Sequence, residues 1–366
     1  MTSLSDPAGA SRRSTRAPAR GRYRTGDAEL DALLVHVLDE AGATADRDQL
    51  FEALVSVCRL AADGADRLDL KITNAALKEM RAAFRAFAPY RDQPKVTIFG
   101  SARTLPDQPS YDQARRLAAD LAARGWMVVT GAGPGIMAAG LEGAGREMSF
   151  GVNIRLPFEQ DANPYIAGDP KLISMKYFFT RKLMLMKESV GFVSLPGGFG
   201  TLDETYELLT LIQTGKAIPA PVVLLDEPGG TYWESWVRFL RDEVAVGGFV
   251  NESDFSLFLH TDSVNATVQE LLGFNRNFHS IRWVADRIVI RLDHGPTDAE
   301  VRDLAERFGD LCLQGTIERS DPLPAEVADD DELSLPRLSF ACTSHGAGRL
   351  RQLIDALNTL PSLLES

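Results

Sequence analysis

The residues of this chain best placed to do chemistry lie in one run, Pro196-Gly197-Gly198-Phe199-Gly200-Thr201, with Glu204 three positions further on. Its three glycines permit close backbone approach and positive φ, so successive N–H groups can point inward as a nest for an anion. Thr201 is expected to open a helix, so that its hydroxyl and the positive helix end both favour a phosphate, the dipole contributing about 0.3–2 kcal/mol. No Gly-Lys-Ser/Thr follows, so this is not a Walker loop. Glu204 would then fall on the first turn, beside any ligand held at the helix start. Thr-x-x-Glu is also the pattern of a capping box, in which Thr201 and Glu204 do no more than satisfy orphan backbone donors. The run by itself leaves both readings open.

Two further glycine turns follow short β-rich runs: Phe99-Gly100-Ser101-Ala102-Arg103 and Gly131-Ala132-Gly133-Pro134-Gly135. The second has the look of a dinucleotide fingerprint, but it reads GxGxG and belongs to the second βα unit. The strand ending at Ile154 continues with Arg155 and Leu156, where a ribose-binding site would want an acidic residue. NAD or NADP is therefore not expected, and a tight packing turn and a nucleotide-facing loop both remain open. Arg181 and Lys182 lie in an apolar helical stretch whose Phe178, Leu183, Met184, Leu185 and Met186 are expected in the core. Adjacent helical residues project about 100° apart, so the two cations could flank one cleft, and Arg181 is the stronger candidate.

These residues need a frame that brings strand ends together. From Lys95 to about Gly273 short β-rich runs (96–99, 127–130, 150–154, 171–174, 190–195, 222–225) alternate with helical patterns (111–124, 136–147, 178–187, 202–214, 233–244). That alternation predicts an α/β fold, a Rossmann-like doubly wound parallel sheet covered by helices on both faces. Ahead of it, helical spacing from Asp27 to about Tyr90, with Asp27, Asp46 and Thr73 as candidate N-caps, predicts a helical N-terminal region. Behind it, strand 287–292, helix 297–308, strand 313–318, an acidic loop, strand 337–342 and helix 348–357 predict a small α+β module, ferredoxin-like or ACT-like. The expected organisation is a disordered basic tail (1–25), a helical region (26–94), the catalytic domain (95–273) and the α+β module (274–366).

The nonapeptide Pro196–Glu204 matches the pattern PGGxGTxxE, and Arg181-Lys182 sits where an Arg-Lys pair accompanies it; the chain resembles the Lonely Guy family. These are cytokinin-activating phosphoribohydrolases and related bacterial nucleotide nucleosidases, often labelled lysine decarboxylases. Gly100-Ser101-Ala102 and Gly131–Met137 resemble the family's first and second nucleotide loops, so the likeness runs from about Val96 to Val250. Two departures stand out. The second loop lacks three successive glycines, and the Leu156–Gln160 and Asn163-Pro164-Tyr165 segment looks like a bacterial variant, which argues against cytokinin as the physiological substrate.

The resemblance implies hydrolysis of the N-glycosidic bond of a nucleoside 5′-monophosphate to free base and ribose 5-phosphate. It implies Arg181 and Glu204 as catalytic residues. Ser101, Gly131, Gly133, Lys182, Gly197, Gly198, Phe199, Gly200 and Thr201 would bind substrate or phosphate. It also implies a homodimer or higher homo-oligomer with its sites near the subunit interface. No cofactor and no metal are expected, since no ligand cluster stands out and no pyridoxal constellation accompanies any lysine. A non-catalytic nucleotide sensor using the same cradle is the rival class.

Composition bounds the rest. With 366 residues, 45% hydrophobic and 25% charged, the chain falls outside the disordered, collagenous and disulfide-scaffold classes. No run approaches the roughly 18 apolar residues of a membrane span. A net charge of -12 argues against nucleic acid as a partner. Cys58, Cys312 and Cys342 show no CxxC spacing, which fits a reducing, cytoplasmic setting. His36, His260, His279, His294 and His345 all lie outside the motifs. The arginine-rich start, Arg12 to Arg24, lacks an apolar export core and is read as a flexible tail.

Overall fold

The computed structural model describes residues 23–155, 162–342 and 346–363. Most of the basic tail, the Leu156–Gln160 segment and His345 lie outside the described residues. The chain divides into two units, Met1–Lys78 and Glu79–Ser366.

In the first unit α1 (Ala28–Glu40) pairs with α2 (Arg47–Ala62), with Leu34, Leu38 and Val55 buried. Asp27 caps α1 as expected, its carboxylate accepting from the N–H groups of Glu29 and Leu30. Asp46 stands at the N-cap of α2 but makes no side-chain cap bond. At the head of α3 (Arg67–Phe87) the cap expected of Thr73 is made instead by Asp66, which accepts from Leu68 and Asp69 N–H. Thr73 sits inside that helix and bonds back to the Asp69 carbonyl. From Glu79 onward α3 belongs to the second unit, so residues 79–94, placed with the helical region by sequence, fold with the sheet. Ala83 and Phe87 are buried there, and Phe87 stacks on Phe150 at 4.2 Å, because the sheet face needs an apolar cover that this half of α3 supplies.

The second unit holds seven parallel strands: β1 (Lys95–Phe99), β2 (Met127–Thr130), β3 (Ser149–Ile154), β4 (Leu172–Met175), β5 (Gly191–Ser194), β6 (Val222–Leu225) and β7 (Leu259–Thr261). Their order is β4-β3-β2-β1-β5-β6-β7. Val96, Ile98, Val128, Val193 and Val223 face α4 (Pro109–Ala123), α5 (Ile136–Ala144) and α9 (Val264–Gly273). The alternate residues Phe99, Met127, Val129, Phe150, Val152 and Phe192 face α6 (Phe178–Lys187) and α7 (Phe199–Gln213). This is the doubly wound arrangement, and strand order reverses between β1 and β5, where such sheets open a ligand crevice. Helix α8 (Tyr232–Phe239) continues as a π-helix over Leu240–Ala245 where one α-helix was expected.

The C-terminal part of this unit is an antiparallel sheet of β8 (Phe278–Val284), β9 (Arg287–Leu292), β10 (Cys312–Arg319) and β11 (Arg337–Cys342) in the order β10-β11-β9-β8. Helices α10 (Asp298–Arg307) and α12 (Ala347–Leu357) pack Leu304, Leu353, Ile354 and Leu357 onto one face. Strand β8 is additional to the sequence reading, as is the short α11 (Pro324–Asp329) inside the acidic loop. The strand order is that of a ferredoxin-like sheet whose outer strand comes ahead of the first βα unit instead of after the last helix. Among the described residues no helix is long and apolar enough to cross a membrane.

Candidate functional site

All three glycine turns meet at the β1–β5 reversal, with Ser101 as their junction. Its N–H donates to the Pro196 carbonyl at 3.2 Å, its carbonyl accepts from Ile136 N–H at 3.0 Å, and its hydroxyl accepts from Arg103 N–H at 3.0 Å. A side chain at Gly135, which has φ +65°, would overlap the Ser101 carbonyl, and one at Gly197 would overlap Thr201. Those glycines are there so that loops can touch.

The third turn differs from expectation in two ways. None of Gly197, Gly198 and Gly200 has positive φ; Gly197 is needed for close approach, whereas at Gly198 and Gly200 a Cβ would meet open space. Helix α7 starts at Phe199 with Gly198 as N-cap and no side-chain cap bond, not at Leu202 with Thr201 as N-cap. Glu204 is therefore on the second turn, and Thr201 with Glu204 is not a capping box. Leu202 N–H makes the first helical bond, to the Gly198 carbonyl. The N–H groups of Gly198, Phe199, Gly200 and Thr201 have no partner among the described residues. Free donors and open space at one helix start suit an anion.

Glu204 faces Arg181, which reaches across from α6 with Nη1 3.8 Å from Oε1. Arg181 is only 8% exposed; its Nε donates to the Val152 carbonyl at 2.9 Å and its Nη2 to the Gly131 carbonyl at 3.4 Å. Burial lifts the Glu204 carboxyl to about 7, with Arg181 and then Lys182 pulling it back. Burial lowers the Arg181 guanidinium, and Glu204 opposes that. The second loop is the floor beneath Arg181: a Cβ at Gly131 would overlap the guanidinium and stand 2.7 Å from Met137 Sδ, and a Cβ at Gly133 would stand 2.7 Å from Met137 Cε. Gly131→Ala is expected to push Arg181 off its carbonyls and to lower turnover about 10²-fold, with a smaller loss of stability. Turnover measured beside a melting curve checks this, and an unaltered rate would remove Gly131 from the site.

Lys182, expected to touch substrate, is occupied by Asp203 at 2.7 Å and Glu207 at 2.6 Å, both on α7. It fastens α6 to α7. Phe199, expected in the cradle, is 93% exposed. Of the apolar residues of α6, Met184 and Leu185 are buried, but Phe178, Phe179 and Leu183 stand exposed.

Three supporting residues were missed. Asn163 holds the second loop, donating from N–H to the Ala132 carbonyl and from Nδ2 to the Gly133 carbonyl, both at 3.0 Å. Glu79 accepts from Lys176 N–H and from the Thr180 hydroxyl, fixing the start of α6 beside Arg181. The Tyr232 hydroxyl donates to the Gly197 carbonyl at 2.7 Å. Only Asn163 carried a sequence signal, its place in the quoted Asn-Pro-Tyr segment. Among the described residues no group of three or more His, Cys, Asp and Glu could hold a metal ion.

The profile of a family described as "Possible lysine decarboxylase" matches residues 131–271. A probable cytokinin riboside 5′-monophosphate phosphoribohydrolase of Arabidopsis thaliana, LOG6, is 32% identical over 149 residues, 39% of this chain and 71% of that protein. A second of that description, LOGL3 of Oryza sativa subsp. japonica, is 30% identical over 165 residues, covering 44% of this chain and 73% of its own. Among solved structures, a molybdenum cofactor binding protein from Rippkaea orientalis is similar over 48% of this chain and 94% of its own, at TM-score 0.35 and 18% identity.

Proposed function

We propose that this chain, which belongs to the Lonely Guy family of cytokinin riboside 5′-monophosphate phosphoribohydrolases, hydrolyses the N-glycosidic bond of nucleoside 5′-monophosphates to free base and ribose 5-phosphate. The observation that carries this reading is the Glu204 carboxylate, its side chain 14% exposed, 3.8 Å from Arg181 and one turn into a helix whose first N–H groups are free. An anion binder gains nothing from a buried carboxylate beside its anion, whereas glycosidic cleavage does. As the C1′–N bond breaks, the base takes the bonding pair and positive charge grows on the ribose. A carboxylate next to the sugar stabilises that charge and orients the water whose oxygen bonds to C1′, and the proton that water gives up passes through solvent to the departing base.

The remaining groups divide the work. The N–H groups from Gly198 to Thr201 anchor the 5′-phosphate, and that remote binding supplies orientation at the sugar. Arg181 favours the ionised form of Glu204 against the effect of burial and holds it in place. The exposed Phe178, Phe179, Leu183 and Phe199 near the crevice favour at least a dimer, with its contact beside the site. Lys182, the lysine beside the crevice, does not suit a Schiff base with pyridoxal phosphate. Burial alone would lower the Lys182 ammonium, but Asp203 and Glu207 outweigh it and raise it, the opposite of what a Schiff-base lysine requires.

The test is incubation with AMP, GMP, CMP, UMP, IMP and isopentenyladenosine monophosphate, with free base and ribose 5-phosphate quantified by chromatography. Equimolar release of both from at least one nucleotide is expected. Binding without release from any of them would make the cradle a sensor.

A further inference from the structure

The donors at the start of α7 include one that helix geometry does not fix. The peptide between Gly197 and Gly198 joins two glycines ahead of the helix, and such a peptide can rotate with little steric cost. In one orientation its N–H faces the crevice; in the other its carbonyl does, and a carbonyl repels a phosphate. The peptide is trans, so holding the Gly197 carbonyl on one side sends the Gly198 N–H to the other.

The Tyr232 hydroxyl holds that carbonyl at 2.7 Å. Tyr232 is the first residue of α8, and its position is in turn secured. The next N–H, that of Trp233, donates to both oxygens of Asp226 at 3.2 and 3.0 Å, and His260 Nε2 lies 3.0 Å from the same carboxylate. Asp226 is 1% exposed, directly after β6, so the anchor belongs to the sheet. The Tyr232 ring packs edge-on against Trp233, with centroids 4.9 Å apart. Burial raises the phenol above its ordinary value, which keeps it a donor at neutral pH.

We infer that Tyr232 is a positioning residue that locks the Gly197–Gly198 peptide in its anion-binding orientation and thereby makes recognition depend on the substrate's 5′-phosphate. The inference rests on the proposed reading for the identity of the anion, though not for the locking itself. It identifies a residue on a different helix from Arg181 and Glu204, outside the nonapeptide, as a determinant of nucleotide over nucleoside.

Tyr232→Phe removes the one hydroxyl and keeps the ring. Its affinity for ribose 5-phosphate, measured by calorimetry, is expected to fall about five- to tenfold, the loss of one hydrogen bond's worth of orientation. KM for the best nucleoside monophosphate should rise by a similar factor with kcat nearly unchanged, while any turnover of the unphosphorylated nucleoside stays as in wild type. Tyr206→Phe is the control. Its hydroxyl accepts from Trp236 Nε1 at 2.8 Å in the neighbouring aromatic cluster, and it should leave ribose 5-phosphate affinity unaltered. Unaltered ribose 5-phosphate affinity in Tyr232→Phe would overturn the inference, even where base release is observed. A fall in kcat equal for nucleotide and nucleoside, or an equal loss of affinity in Tyr206→Phe, would reduce Tyr232 to general packing and overturn it as well. Weakened ribose 5-phosphate binding in a protein that releases no base would uphold the lock and sink the hydrolase reading, so the two fail separately.

Discussion

Glu204→Gln is expected to lower base release by about 10²-fold or more and to leave the protein folded. Helix α7 starts at Phe199 with Gly198 as its cap, so glutamine at 204 costs no cap bond, and the change isolates the carboxylate's charge. Burial raises the Glu204 carboxyl from 4.5 to about 7, against the pull of Arg181 and Lys182. The folded state therefore holds this proton more tightly than the unfolded chain, and wild-type stability falls as pH rises from about 4.5 to about 7. Glutamine removes that component, so the variant should melt no lower than wild type at pH 8 and should lose this part of the pH dependence. The wild-type rate should climb with pH, half-maximal near 7 where Glu204 is half ionised, and level off on the alkaline side. The residual rate of the variant should lack that limb. Rates and melting curves from pH 5 to 8 test both halves, and a variant that releases base at the wild-type rate would end the assignment of Glu204 to catalysis.

Much of this arrangement was legible because its signals are local. Strands Met127–Thr130, Val222–Leu225, Arg287–Leu292 and Arg337–Cys342, and helix Phe178–Lys187, have the bounds that periodicity predicts. Glycine-rich turns after apolar runs located the crevice. The start of α7 misled for a local reason too: threonine is a strong N-cap, but glycine also serves, and Gly198 takes that place ahead of Thr201. Shifting the helix start by three residues turned an apparent capping box into a carboxylate free to face Arg181.

What sequence could not show depends on partners distant along the chain. Lys182 read as a phosphate ligand because its two carboxylates, Asp203 and Glu207, are on another helix. Tyr232 and Glu79 carry no pattern, since each acts on a backbone group that only the sheet brings near. The acidic loop concealed α11, whose Glu326 is fully buried between Arg291 and Arg337 at 2.7 Å each. A carboxylate in an acidic run reads as solvated until its cations are located. Cys312 and Cys342 looked isolated for the same reason, yet they are register partners across β10 and β11.

Arg181 should separate charge from geometry. In Arg181→Met the guanidinium at 3.8 Å from Glu204 is gone, and burial then acts on the carboxyl with less opposition. Glu204 should ionise above its wild-type value of about 7, so the alkaline plateau moves to higher pH and the neutral rate falls by about 10²-fold or more. The carbonyls of Val152 and Gly131 also lose their donor, which should cost about 1–3 kcal/mol of stability for each that stays dry. Arg181→Lys restores a positive charge but not the planar fork that reaches a carbonyl and the carboxylate together. Its plateau should return toward the wild-type pH while its rate stays well below wild type. If Met and Lys variants shared one pH profile, the charge of Arg181 would have no hold on Glu204. If the lysine variant recovered full rate, the two carbonyl contacts would be packing and no part of the site's geometry.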